Sequence, residues 1–194
     1  RLSSEFKWKR TIIDQIGQVF TPFLSVRGDA SWRSVRGNGT TDGFLNADDS
    51  SIFRGMPTLG LEYRWPFIAA ESWGTQTIEP IAQVLLRPNE TKIGSSPNED
   101  AQSLVFDDSN LFKVDKFSGR DRMEGGGRAN VGLQYSATLK NGVYLNALFG
   151  QSYHLFGLNS YSRTDVANVG AESGLQTRNS DYVARVYTQL GSLM

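Results

Sequence analysis

Apolar and polar residues alternate along most of this chain. The clearest run sets Pro57, Leu59, Leu61, Tyr63, Trp65 and Phe67 against Thr58, Gly60, Glu62 and Arg64. Successive side chains of a β-strand point to opposite faces, so such a run puts one apolar face back to back with a charged one. Phe20, Pro22, Leu24, Val26, Gly28, Ala30 and Trp32 alternate in the same way with Thr21, Ser25, Arg27, Asp29, Ser31 and Arg33, and only Phe23 breaks the polar side. Ile78, Pro80, Ala82, Val84 and Leu86 face away from Thr77, Glu79, Gln83 and Arg87, with Ile81 and Leu85 blurring the polar side. Runs from Ala129 to Leu139 and from Val143 to Phe149 follow, with weaker ones from Leu2 to Ile13 and from Asp181 to Leu190. Seven strands are predicted, and no helix of amphipathic period.

The lengths and connections of these runs narrow the class. Most span roughly ten to fifteen residues, whereas globular strands cluster at about 5–6 and a tilted membrane-crossing strand needs about 9–11. Short links at Asp14 to Gln18, Ala69 to Gly74 and Lys140-Asn141-Gly142 alternate with long ones at Ser34 to Ser51, Pro88 to Gly127 and Leu155 to Ser180. That alternation is expected of an antiparallel transmembrane β-barrel, with turns on the periplasmic side and loops outside. The expected fold is therefore all-β, a wall segment of a larger barrel. Residues 1–194 would form one piece of a single barrel domain, because the chain opens on Arg1 without a secretory leader and stops just after its last strand, and its two unpaired edges predict that it does not fold alone. Phe20, Trp65 and Phe67 would then lie at the inner membrane interface and Trp32 at the outer one, as an aromatic girdle. Pro22 and Pro80, inside their strands, would leave local gaps in pairing, while Pro57 and Pro66 sit where a strand starts or ends.

Composition changes this picture little. The 20 basic residues balance the 20 acidic ones, and no basic stripe suggests a nucleic-acid partner. Cysteine is absent, which excludes thiolate metal sites. No stretch reaches the roughly 20 apolar residues of a membrane-crossing helix, a test to which barrels are blind. A single histidine, His154, is two residues from Ser152, but a serine hydrolase also needs an orienting group and an oxyanion hole, and neither is identifiable. Asp48-Asp49 and Asp107-Asp108 lack the spacing of a calcium loop and read as solvated charge. Gly125-Gly126-Gly127 precedes a strand rather than a helix, so it is not a phosphate cradle. No metal or cofactor is expected. Arg27, Asp29, Glu62, Arg64, Glu79, Gln83, Arg87 and Gln134 share the polar side and are the candidates to line a lumen.

Three ordered motifs carry a family resemblance. They are Pro57-Thr58-Leu59-Gly60-Leu61-Glu62-Tyr63, then Ile78-Glu79-Pro80-Ile81-Ala82-Gln83, and then Phe106-Asp107-Asp108-Ser109-Asn110-Leu111-Phe112 leading to Phe117-Ser118-Gly119-Arg120-Asp121-Arg122 and Glu124-Gly125-Gly126. In this order they resemble the barrel domain of the lipopolysaccharide-assembly family LptD, also called organic solvent tolerance proteins. The resemblance implies transport of lipopolysaccharide to the outer leaflet of a Gram-negative outer membrane, without bond chemistry. It further implies a plug lipoprotein inside the barrel, periplasmic bridge components that deliver the glycolipid, and contact with outer-membrane lipid. Asp107, Asn110, Gly119, Arg120, Asp121 and Arg122 form the family-motif loop, and the Arg120-Asp121-Arg122 segment is expected to order that loop against the lumen. Members often carry cysteines that tie the barrel to a periplasmic domain, and none occurs here. The lateral opening should lie outside the segment, so Pro22 and Pro80 are not assigned to it. The alternatives are a porin or substrate-specific channel, a barrel-embedded lipid hydrolase, and a soluble glycan-binding β-protein.

Overall fold

A computed structural model of the chain describes residues 1–33, 50–93, 98–163 and 169–191. It shows one antiparallel sheet of nine strands: β1 (Leu2–Lys9), β2 (Ile12–Ile13), β3 (Val19–Arg33), β4 (Ser50–Arg64), β5 (Phe67–Glu71), β6 (Gly74–Leu86), β7 (Gly127–Leu139), β8 (Tyr144–Phe156) and β9 (Val183–Gln189). A single 3-10 turn, Ser160–Ser162, completes the regular structure among the described residues. The sheet path is β1-β3-β4-β6-β7-β8-β9, with β2 beside β3 and β5 beside β6. Among the described residues β1 and β9 are its open edges.

Nine elements replace the seven predicted strands, and two prolines are the reason. Arg10 lies between β1 and β2 and faces Pro22; Trp65 lies between β4 and β5 and faces Pro80. The register is the same on either side of each break. Arg10 N–H donates to the Pro22 carbonyl at 3.1 Å and Trp65 N–H to the Pro80 carbonyl at 3.2 Å. The return bond is missing in both places, because proline has no N–H to give. Each break is thus one lost rung in a continuous strand. Two boundaries also differ from expectation. β4 begins at Ser50 rather than Pro57, because all of β3 finds a partner on it, and β8 runs on to Phe156.

The pairing register assembles the alternating residues into two unlike faces. On one, Leu24, Leu59 and Leu86 form a row across β3, β4 and β6, and Pro22, Leu61, Val84 and Ala129 form the next. This face is uncovered: Leu59 is 54 % exposed, Leu133 49 % and Phe149 54 %. At the end of the short links Phe20 packs on Tyr63 (5.1 Å between ring centres) and Trp65 on Phe67 (4.5 Å). At the opposite end Trp32 meets Phe53 edge-on at 6.4 Å. The other face carries the polar rows, and there the long links 87–126 and 157–182 fold back onto the sheet. The buried core lies between these links and the sheet: Phe106, Leu111 and Phe117 from the first link pack with Tyr161, Val169 and Leu175 from the second.

Candidate functional site

The covered polar face is the candidate site, and the sheet's alternation builds it. Arg27, Asp29, Glu62, Arg64, Glu79, Gln83 and Gln134 all lie on this face, and Arg87 continues its parity beyond the end of β6. Arg87 joins a buried charge cluster, and the others form three groups rather than one continuous hydrated wall.

At the first group the tip of link 87–126 docks on β3 and β4. Asp29 accepts from Arg27 at 2.8 Å and from Arg54 at 3.0 Å. The same two guanidiniums, with that of Arg1, reach the backbone carbonyl of Arg120, and Arg54 also donates to the Asp121 carbonyl at 2.7 Å. The Asp121 carboxylate accepts from Arg1 and from the N–H groups of Glu99 (2.7 Å) and Asp100 (3.2 Å). Burial alone would raise the Asp121 carboxyl, but those N–H groups and Arg1 hold it below its ordinary value. Asp100 returns the contact by accepting from the N–H groups of Arg120 (2.7 Å) and Asp121 (2.8 Å). Gly119 makes this clasp feasible, since its φ is +72° and a β-carbon there would strike the Asp100 carboxyl. Arg122 is buried, whereas the Arg120 side chain is exposed. The motif thus acts here mostly through its backbone.

At the second group Arg64 joins Glu62 (2.7 Å) to Glu79 (3.3 Å), and Gln83 donates to the Phe112 carbonyl at 3.0 Å. Asp107 and Asn110 fold the chain just before Phe112. Asp107 accepts from the Ser109 N–H (2.9 Å), and Asn110 accepts from the Asp107 N–H (3.1 Å) and donates to the Val105 carbonyl (2.7 Å). That turn presses Leu111 over Gly150 and Phe112 over Gly132, glycines that face each other on β7 and β8 where any β-carbon would collide with these side chains. At the third group Gln134 lines a shallow cleft of about 370 Å³ with Tyr144, Asn146, Arg185 and Tyr187. Arg185 also binds Asp108 at 2.8 Å, so that acidic pair serves the turn and an ion pair. Asp48-Asp49 lies outside the described residues.

Between the first two groups sits a buried charge cluster that the sequence did not reveal. Glu124 binds Arg128 and lies 3.1 Å from Arg87; the side chains of all three are at most 1 % exposed. Arg128 also donates to Ser152 (3.2 Å) and Asn159 (3.3 Å) and lies 5.0 Å above the Tyr161 ring. Lys116 donates to Asn130 at 3.2 Å, and Arg87 donates to the Val114 carbonyl at 2.7 Å. Asn130 links Gln83 (2.7 Å) to Ser152 (2.6 Å). Ser152 therefore serves this network, while His154 Nε2 lies 3.0 Å from the Gly157 carbonyl, so the two do not form a nucleophile–base pair. Glu124 and Arg128 flank the three glycines, and that flanking pair of opposite charges was the one available signal.

Burial would raise the Glu124 carboxyl, but Arg87, Arg128 and Lys116 hold it down at about 2. Burial and the nearby Glu124 charge push Asp115 up to about 6, and burial pushes Lys116 down to about 7. The signs give a pH profile for docking of the link. Asp115, with its raised value, favours the docked state progressively as pH falls from about 6 towards its ordinary value. Lys116, with its lowered value, favours it as pH rises above about 7. The Glu124 contribution is full above its ordinary value and fades as pH falls towards about 2. Protection of the 113–124 amides from hydrogen exchange, corrected for intrinsic rate, should therefore be lowest near neutrality and rise on both sides. Protection that peaks near neutrality would contradict this.

A cavity of about 380 Å³ separates the link from the sheet on the β1 side, where Lys7, Ser25, Arg27 and Thr58 face Lys113 and Arg120. No group of histidine and acidic residues able to hold a metal ion occurs among the described residues. No helix among them is long and apolar enough to cross a membrane. One protein-family model, described as LPS transport system D (LptD), matches residues 1–193. No curated protein matches the chain.

Proposed function

The chain belongs to the LptD family, and from that premise we propose that it is a wall segment of an outer-membrane β-barrel that inserts lipopolysaccharide into the outer leaflet. The observation that carries this reading is the contrast between the faces. A sheet this broad with an uncovered apolar face has no stable place in water, and a lipid bilayer supplies the missing cover. All short links lie at one end of the strands and all long links at the other, as barrel insertion requires. Seven strands with two open edges are too few to enclose a wide lumen, so further strands on both sides would complete the domain.

In this reading Leu24, Leu59, Leu61 and Val84 face acyl chains. Phe20, Trp65 and Phe67 lie at the periplasmic interface and Trp32 at the outer one. The polar face, with Arg27, Asp29, Glu62, Arg64, Glu79, Gln83, Arg87 and Gln134, looks into the lumen, where the glycolipid sugar and a plug lipoprotein would pass or bind. Periplasmic bridge components would deliver the substrate. The family is one of transport, not of enzymes, and the occupied Ser152 and His154 fit that. A general porin fits less well, because the two long links cover much of the polar face.

Depletion of the full-length parent, followed by measurement of newly made lipopolysaccharide at the cell surface, tests the proposal. Surface delivery should stop while the glycolipid accumulates inside. Undiminished delivery would overturn the transport role and direct attention to channel activity.

A further inference from the structure

We propose that Lys116 and Asn130 are the two halves of an internal amide crosslink, formed when the lysine amine displaces ammonia from the asparagine side chain and joins link 87–126 to β7. The proposal goes beyond the transport reading and does not depend on it.

The two groups are already in contact. Lys116 Nζ lies 3.2 Å from Asn130 Oδ1, beside the carbon it would attack, in residues that are 3 % and 0 % exposed. Both are held there. Asn130 belongs to β7, and the Asp115 carboxylate braces the chain around Lys116 by accepting from the N–H groups of Phe117 (3.0 Å) and Glu124 (3.2 Å). Reacting groups fixed in such contact behave as if present at about 10⁵ M or more.

The amine is in a form that can attack. Among the described residues Lys116 has no ion-pair partner, and its Nζ meets only neutral oxygens, those of Asn130 and of the Lys113 backbone (3.4 Å). Burial pushes it down to about 7; Glu124 and Asp115 oppose that shift, and Arg128 and Arg87 assist it. Near neutral pH a large share of the amine therefore carries a free electron pair. The pH profile for docking given above belongs to chains in which this amine is still free.

The amide is polarised and oriented. Asn130 Oδ1 accepts from the Ser152 hydroxyl at 2.6 Å, and that hydroxyl accepts in turn from Arg128 at 3.2 Å. A donor backed by a guanidinium thus waits where negative charge develops on Oδ1 during attack, a placement that contributes about 10²–10³ in rate. Nδ2 donates to Gln83 at 2.7 Å, which fixes the plane of the amide. Burial also excludes the water that would compete by hydrolysis. The new bond joins Nζ to Cγ of Asn130, the Cγ–Nδ2 bond breaks, and ammonia leaves. Asp115, which burial and Glu124 push up to about 6, takes the proton from Nζ and supplies one to Nδ2. Nothing is oxidised or reduced.

Mass spectrometry of the full-length protein, isolated folded in detergent, is the test. The mature chain should be lighter than its sequence mass by one ammonia. After denaturation, trypsin should leave Lys116 uncut and release residues 114–120 joined to residues 129–140. Lys116→Arg and Asn130→Ser should restore the ammonia, and Asp115→Asn should slow joining about a hundredfold. Asn130→Asp should expel water instead and reach the same product, which a merely structural contact would not do. A parent whose Lys116 amine and Asn130 amide stay intact after long incubation at mildly alkaline pH would overturn the proposal, and that reading needs no variant to fold. Lipopolysaccharide delivery by a parent with Lys116 unjoined defeats the crosslink and leaves the transport reading standing. Joined peptides from a parent that delivers none support the crosslink and defeat the transport reading.

Discussion

Arg128→Ala should weaken docking of the 87–126 link by about 3–5 kcal/mol, the cost of orphaning a buried ionic partner. Arg128 is 1 % exposed and meets Glu124, Ser152, Asn159 and the Tyr161 ring simultaneously. No water can replace it without opening the site. Lysine should not rescue the variant, because a single ammonium cannot span the separate contacts made by Nε, Nη1 and Nη2 or stack on the ring in the same way. Urea titration of the full-length barrel, read by protease sensitivity of the link, gives the magnitude. Replacing Arg87, Glu124 and Arg128 together by methionine should recover much of the loss, since neither guanidinium is then left buried without its carboxylate. A small effect of the single variant would mean that the cluster contributes little to docking.

The second large effect belongs to the opposite face and depends on depth. Leu59 lies on β4 between Tyr63 at the short-link end and Phe53 at the long-link end, whereas Trp32 lies at the long-link end beside Phe53. If this face meets lipid, Leu59→Arg should cost about 2–4 kcal/mol of folding free energy in vesicles, and Trp32→Arg about 0–1 kcal/mol from the charge itself. A soluble sheet would show no such gradient, because both side chains are exposed and water would hydrate either guanidinium. Equal costs at the two positions would argue against a bilayer around the sheet.

The strands were legible because the period of two is a geometric property of the backbone, and both broken rungs were foreshadowed by Pro22 and Pro80. The extent of β4 was not, because Gly55 interrupts the alternation near its start. Ile81 and Leu85 blurred the polar side. They are buried there because the links cover them, a fact no strand-by-strand reading contains. The motif loop could be singled out in the sequence, but not the contacts that hold it. Arg54 meets Asp121 across 67 residues of sequence, and Glu124 meets Arg87 only after the link has turned back. Such pairings are set by docking of the link, not by local spacing.

The shared core of the two links has a consequence for the order of biogenesis. Phe106 and Phe117 reach their buried positions only when Tyr161 and Leu175 are present, and those residues follow two further strands in the chain. Contacts so distant in sequence form late, after the intervening loop entropy has been overcome. A nascent sheet that has paired β6, β7 and β8 therefore still presents bare phenylalanines on its inner side. Whatever machinery inserts this protein must shelter that surface until β9 arrives, and a chain arrested before Val183 is the form in which quality-control proteases would find it.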